Sequence, residues 1–75
     1  MMKVRVLLFA ALRERLGKSE LECDVKPGES VSQLAERILG FNRNVLFAVN
    51  DQFADKEHVV SDGDTVAFIP PMAGG

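Results

Sequence analysis

The chain has no tryptophan and no tyrosine, and it carries one cysteine and one histidine among its 75 residues. The single cysteine, Cys23, excludes an internal disulfide, a dithiol redox pair and a multi-cysteine metal site, and it fits a reducing, cytoplasmic compartment. His58 stands in the polar run Asp55-Lys56-Glu57-His58 with no second ligand spaced for it, so a solvated loop is expected and no metal. Nucleic acid is equally unsupported. Nine Lys/Arg face eleven Asp/Glu for a net charge of −2, and no basic stripe interleaves with aromatics. The longest apolar run, Val4 to Leu12, is broken by Arg5 and is too short to cross a bilayer. Arg13, Glu14 and Arg15 follow it where a signal peptide would need small residues, so no membrane partner is expected.

What is present is the material of one small folded domain: 47% hydrophobic residues against 27% charged, at a length near the lower limit for a self-sufficient core. Lys3 to Ala10 has the density of a strand, with Val4, Val6 and Leu8 on one face and Arg5, Leu7 and Phe9 on the other. Leu12 and Leu16 lie four apart in a short helix that Gly17 can close. Leu21, Cys23 and Val25 alternate with Glu20, Glu22 and Asp24 as in a half-buried strand ended by Pro27-Gly28, and the first two strands are expected to pair as a hairpin. Cys23 falls on the apolar parity, which predicts a packed small hydrophobe instead of a reactive thiol.

Ser30 with Gln33 three residues later makes a capping box, and Val31, Leu34, Ala35, Ile38 and Leu39 form the apolar stripe of the principal helix, stopped near Gly40. Leu46 to Val49 reads as a third strand, Asn50-Asp51 as a turn into a short segment around Phe53, and Asp62-Gly63 as the turn that delivers Thr65 to Ile69. Turn chemistry accounts for Asp62 and Asp64. The pattern requires a crossover and a helix buried on one sheet face, which is an α+β domain with two layers.

Beyond Ile69 the sequence changes character. Pro70 and Pro71 cannot donate ladder hydrogen bonds and hold the chain extended, projecting Met72, Ala73, Gly74 and Gly75 away from a body that covers residues 1–69. Glycine has no Cβ, so residues 70–75 form a tail able to thread a narrow partner channel, with an unobstructed carboxylate on Gly75. Phe9 and Ile69 fall on the face opposite the principal helix, and an apolar patch there marks a partner site unless a short loop covers it.

The block Val4 to Gly17, the Ala48-Val49-Asn50 turn and the run Asp62-Gly63-Asp64-Thr65-Val66-Ala67-Phe68-Ile69-Pro70-Pro71-Met72-Ala73-Gly74-Gly75 resemble the MoaD-type small subunits of molybdopterin synthase. These are sulfur carriers with a ubiquitin-like β-grasp fold, a mixed sheet packed on one main helix. The resemblance spans the whole chain. Its C-terminal block is the specific part; the strand and helix pattern alone would suit any ubiquitin-like domain.

The resemblance implies a role for each part of the tail. Gly75 would be adenylated by a MoeB-like activating enzyme using ATP and magnesium, then converted to a thiocarboxylate, while Gly74 lets the tail thread. Sulfur would then pass to cyclic pyranopterin monophosphate in a MoaE-like large subunit, the two subunits forming a heterotetramer. Phe9, Ile69, Pro70, Pro71, Met72 and Ala73 would meet the partner. This chain would bind no cofactor itself, and the catalytic groups would belong to the large subunit. Related β-grasp carriers serve thiazole or cysteine synthesis, or modify tRNA or proteins, and a plain ubiquitin-like binding module with an incidental Gly-Gly stands as a further alternative. The Pro70-Pro71 pair favours the molybdopterin branch.

Overall fold

In the computed structural model, which describes residues 2–70, the alternation of the first segment becomes strand β1, Met2–Leu8. Its inward side chains Val4, Val6 and Leu8 are at most 2% exposed. The strand stops two residues earlier than the sequence suggests. Phe9 keeps an extended backbone, but Ala10 turns to φ +50 and opens helix α1, Ala10–Leu16, which Gly17 closes in the left-handed conformation. Strand β2, Glu20–Val25, then pairs antiparallel with β1. The two are neighbours as expected, joined through α1 and not by a tight turn.

Helix α2, Val31–Leu39, shows both halves of the expected capping box: Ser30 Oγ accepts from the Gln33 N–H at 3.2 Å, and Gln33 Oε1 accepts from the Ser30 N–H at 3.0 Å. Gly40, at φ +88, ends it. The remaining strands are β3, Leu46–Val49; β4, Gln52–Ala54; and β5, Thr65–Ile69. Asn50 and Asp51, at φ +52 and +71, form the tight turn between β3 and β4, a backbone that asparagine and aspartate tolerate better than most residues.

The sheet order is β2-β1-β5-β3-β4, with β1 and β5 parallel at its centre and the other pairs antiparallel. Helix α2 lies over one face and buries Val31, Leu34, Ala35 and Leu39 against Val6, Leu8, Phe47, Val66 and Phe68. Phe47 and Phe68 meet edge to face, ring centroids 5.7 Å apart, an arrangement that aromatic quadrupoles favour. Because β1 and β5 run parallel, α1 and Pro70 emerge at the same end of the sheet. Pro70 therefore lies beside α1.

Candidate functional site

The face of the sheet turned away from α2 is where the tail's surroundings are built. Residues directly opposite on paired strands share a face, so the registers Leu7 with Ala67, Ala67 with Ala48, and Ala48 with Phe53 trace one apolar row across four strands. Ile69 pairs with Leu46 in the next row toward the tail. The two alanines keep the middle of the face low, while the larger Leu7, Leu46, Phe53 and Ile69 stand around them as a trough. Leu46 is half exposed and Phe53 is 78% exposed. A patch of this kind on a small domain marks a contact surface.

Phe9 joins this face as expected. It continues the extended backbone past Leu7 and is 44% exposed. Ile69 is half-buried between its neighbours, and Pro70 follows it directly at the rim. Among the described residues no loop is folded over the patch, so Phe9 and Ile69 remain accessible. The opposite corner of the same face is polar: Arg5 lies between Glu22 and Thr65 in register and reaches Glu20 at 3.7 Å. The surface thus runs from charged at β2 to apolar at β5, β3 and β4. Four of the tail positions singled out from sequence, Met72, Ala73, Gly74 and Gly75, lie outside the described residues, as does Pro71.

Sequence reasoning named Phe9 and Ile69, and its strand parity put Leu7 on the same face, but it did not find Leu46, Ala48, Phe53 and Ala67. The missing signal was strand pairing, because Phe53 joins the patch only when β4 is placed against β3. The Glu29–Arg37 pair was also missed. Glu29 is 6% exposed, yet both its oxygens are engaged: Arg37 Nε donates to Oε2 at 3.0 Å and Nη2 to Oε1 at 3.2 Å, while the Lys26 N–H donates to Oε1 at 3.0 Å. Arg37 Nη2 also donates to the Asp24 carbonyl at 2.7 Å. This ties the end of β2 to α2. Burial works to raise the Glu29 pKa, but the Arg37 and Lys26 hydrogen bonds and charges outweigh it and hold the carboxyl below its ordinary value.

The remaining singled-out side chains behave as structure. Cys23 is half-buried, less enclosed than its parity suggests, and it stands on the edge strand β2. Burial pushes its thiol pKa up, with Glu29 and Asp24 adding to the rise and Arg37 opposing it. His58 is exposed, and its contribution is backbone: its carbonyl accepts from the Val31 N–H, and the Lys56 carbonyl accepts from Ser32, closing the first turn of α2. Asp62 accepts from the Lys3 N–H, and Asp64 accepts from the Ser61 N–H and Asn50 Nδ2, so both carboxylates hold the turn before β5.

With this geometry in hand, the ThiS family profile matches residues 6–75. This chain belongs to the ThiS family. It is 39% identical over 83 aligned positions to the molybdopterin synthase sulfur carrier subunit of Mycobacterium tuberculosis, with all of both chains covered. It is 33% identical to the subunit of the same name from Chlamydomonas reinhardtii, across 99% of this chain and 100% of the other. A solved structure from Pyrococcus furiosus, assigned as subunit 1 of a molybdopterin converting factor, superposes with a TM-score of 0.81 at 28% identity, covering 96% of this chain and 100% of that one. The ubiquitin-like β-grasp fold expected from sequence is the fold observed. In this ThiS-family chain the apolar trough therefore lies on the open face of the β-grasp sheet, and no helix among the described residues is long and apolar enough to cross a membrane.

Proposed function

We propose that this ThiS-family protein is the sulfur-carrier subunit of a molybdopterin synthase, with Gly75 as the carrier residue. The observation that carries the reading is the apolar trough of Ala48 and Ala67, bounded by Leu7, Phe9, Leu46, Phe53 and Ile69, with Pro70 at its rim. A partner seated in that trough is already at the root of the tail. The names of the full-length relatives agree with it.

The chemistry assigned to the tail follows from what a carboxylate lacks. It is a poor acyl electrophile because its leaving group would be oxide. A MoeB-like activating enzyme, using ATP and magnesium, joins the Gly75 carboxylate to AMP and releases pyrophosphate. A protein persulfide then displaces AMP to give an acyl disulfide, and a thiol of the sulfur-donating protein cleaves its S–S bond, becoming a disulfide and leaving a thiocarboxylate, a soft nucleophile at neutral pH. Gly74 and Gly75, without Cβ atoms, pass into the channel of a MoaE-like large subunit. There, in a heterotetramer, two such sulfurs reach cyclic pyranopterin monophosphate and form the dithiolene. The domain of residues 1–69 supplies the docking face, and residues 70–75 supply reach.

The test is an intact mass measurement after incubation with the activating enzyme, ATP, magnesium and a sulfur source. Replacement of one terminal oxygen by sulfur is expected. Deleting Gly75, or replacing Gly74 by tryptophan, should abolish transfer and leave the circular dichroism spectrum unchanged. Transfer that survived both changes would refute the assignment of Gly75.

A further inference from the structure

At the end of the sheet where β1 and β5 both finish, a second depression of about 520 Å³ opens beside the tail's root. Its walls are Leu12 and Arg15 of α1, Phe41, Arg43 and Val45 from the segment after α2, and Pro70. The floor is apolar: Leu12 is buried, and Phe41 and Val45 are half-buried against the core. The rim is cationic. The Arg15 guanidinium sits 5.1 Å from the Phe41 ring centroid, and Arg43 stands exposed in the same wall.

Among the described residues neither cation has a carboxylate within ion-pair distance: none lines the depression, and the ion pairs there are Arg5 with Glu20 and Arg37 with Glu29. Arg15 occupies the last turn of α1, where a cation complements the helix end, but that accounts for Arg15 alone and not for Arg43. On a chain whose net charge is −2, this is a local reversal of sign around an apolar floor. Its complement is a segment that presents a carboxylate next to an apolar side chain.

The position identifies who would bring that segment. Pro70 is both a wall of the depression and the start of the tail, so a protein that takes in residues 70–75 sets the rim of its channel against Arg15 and Arg43. We propose that the Arg15–Phe41–Arg43 depression docks an acidic, apolar-flanked segment at the mouth of the tail-receiving partner, a contact separate from the open face of the sheet. This rests on the carrier reading above. Such rim charges steer encounter and set its salt dependence.

The experiment titrates the full chain into its purified large subunit by calorimetry at low and at physiological salt. Wild type is compared with the Arg15→Glu/Arg43→Glu and Arg15→Lys/Arg43→Lys double variants. Charge reversal should weaken binding by about tenfold or more at low salt and flatten its salt dependence, while the lysine variant stays within about threefold of wild type. Circular dichroism checks each fold. Arg43→Glu alone keeps the Arg15–Phe41 contact and serves if the double variant does not fold. Wild-type binding that charge reversal leaves unchanged in affinity and salt dependence would overturn this inference while the carrier reading stands. A wild-type chain that bound no large subunit yet acquired the thiocarboxylate would overturn the docking site and the pathway, but not the sulfur chemistry of Gly75.

Discussion

Replacing Phe53 by threonine separates a docking role from a structural one. Phe53 lies on the short edge strand β4, opposite Ala48, and is 78% exposed. A phenylalanine offers about 200 Å² of surface, so roughly 150 Å² of this one is available for a partner to cover. At about 25 cal/mol per Å² the gross gain is about 4 kcal/mol. Incomplete coverage and the ordering of side chains remove roughly half, leaving about 2 kcal/mol, or a loss of about 30-fold in Kd for the variant. Threonine keeps a strand-favouring β-branched side chain, so the folding free energy should change by less than about 0.5 kcal/mol. Binding to the large subunit is read by calorimetry. Folding is followed by far-ultraviolet circular dichroism in urea, because the chain has no tryptophan or tyrosine to serve as a fluorescence probe. An unchanged Kd would refute the placement of the docking surface. A stability loss above about 1 kcal/mol would show that Phe53 packs into the domain.

Two further outcomes test the tie between β2 and α2 and the state of its neighbouring thiol. Arg37→Ala leaves the buried Glu29 carboxylate with only the Lys26 N–H and should cost about 2 kcal/mol, a figure reduced because the Arg37 side chain is 45% exposed to screening solvent. Since the folded Glu29 pKa is depressed, the pair's contribution is present above the unfolded value of about 4.3 and disappears as pH falls through the folded one. The gap between wild type and Arg37→Ala should therefore be full at neutral pH and narrow as the pH falls below the unfolded value of about 4.3; urea melts showing a constant or widening gap in acid would contradict this. Cys23, half-buried with a raised pKa, should react with iodoacetamide at pH 7.4 about tenfold more slowly than an unfolded control peptide and match it in urea. A native rate equal to the peptide's would show the thiol to be open.

Local patterns carried much of the fold because their physics is local. The Ser30–Gln33 capping box and the glycines after each helix act within one turn of chain, and both helices end where those residues stand. The alternation of Val4, Val6 and Leu8 needs only the two-residue period of a strand. The end of β1 was less legible, because the turn of Ala10 to positive φ has no glycine to announce it. Glu29 was illegible for a related reason: a carboxylate eight residues from its arginine looks solvated until β2 and α2 are brought together.

The candidate site divides along the same line. By itself the sequence showed two prolines, Pro70 and Pro71, followed by Met72-Ala73-Gly74-Gly75, placed Phe9 and Ile69 on the face opposite α2, and resembled the sulfur carriers. Strand parity and the chemistry of proline and glycine are properties of the chain itself. Only the tertiary structure decided that Leu7, Ala67, Ala48 and Phe53 form one row, because register across four strands joins residues far apart in sequence. It alone brought Arg15 and Arg43 into one depression with Phe41 and Pro70, because the parallel pairing of β1 and β5 sends α1 and Pro70 to the same end of the sheet.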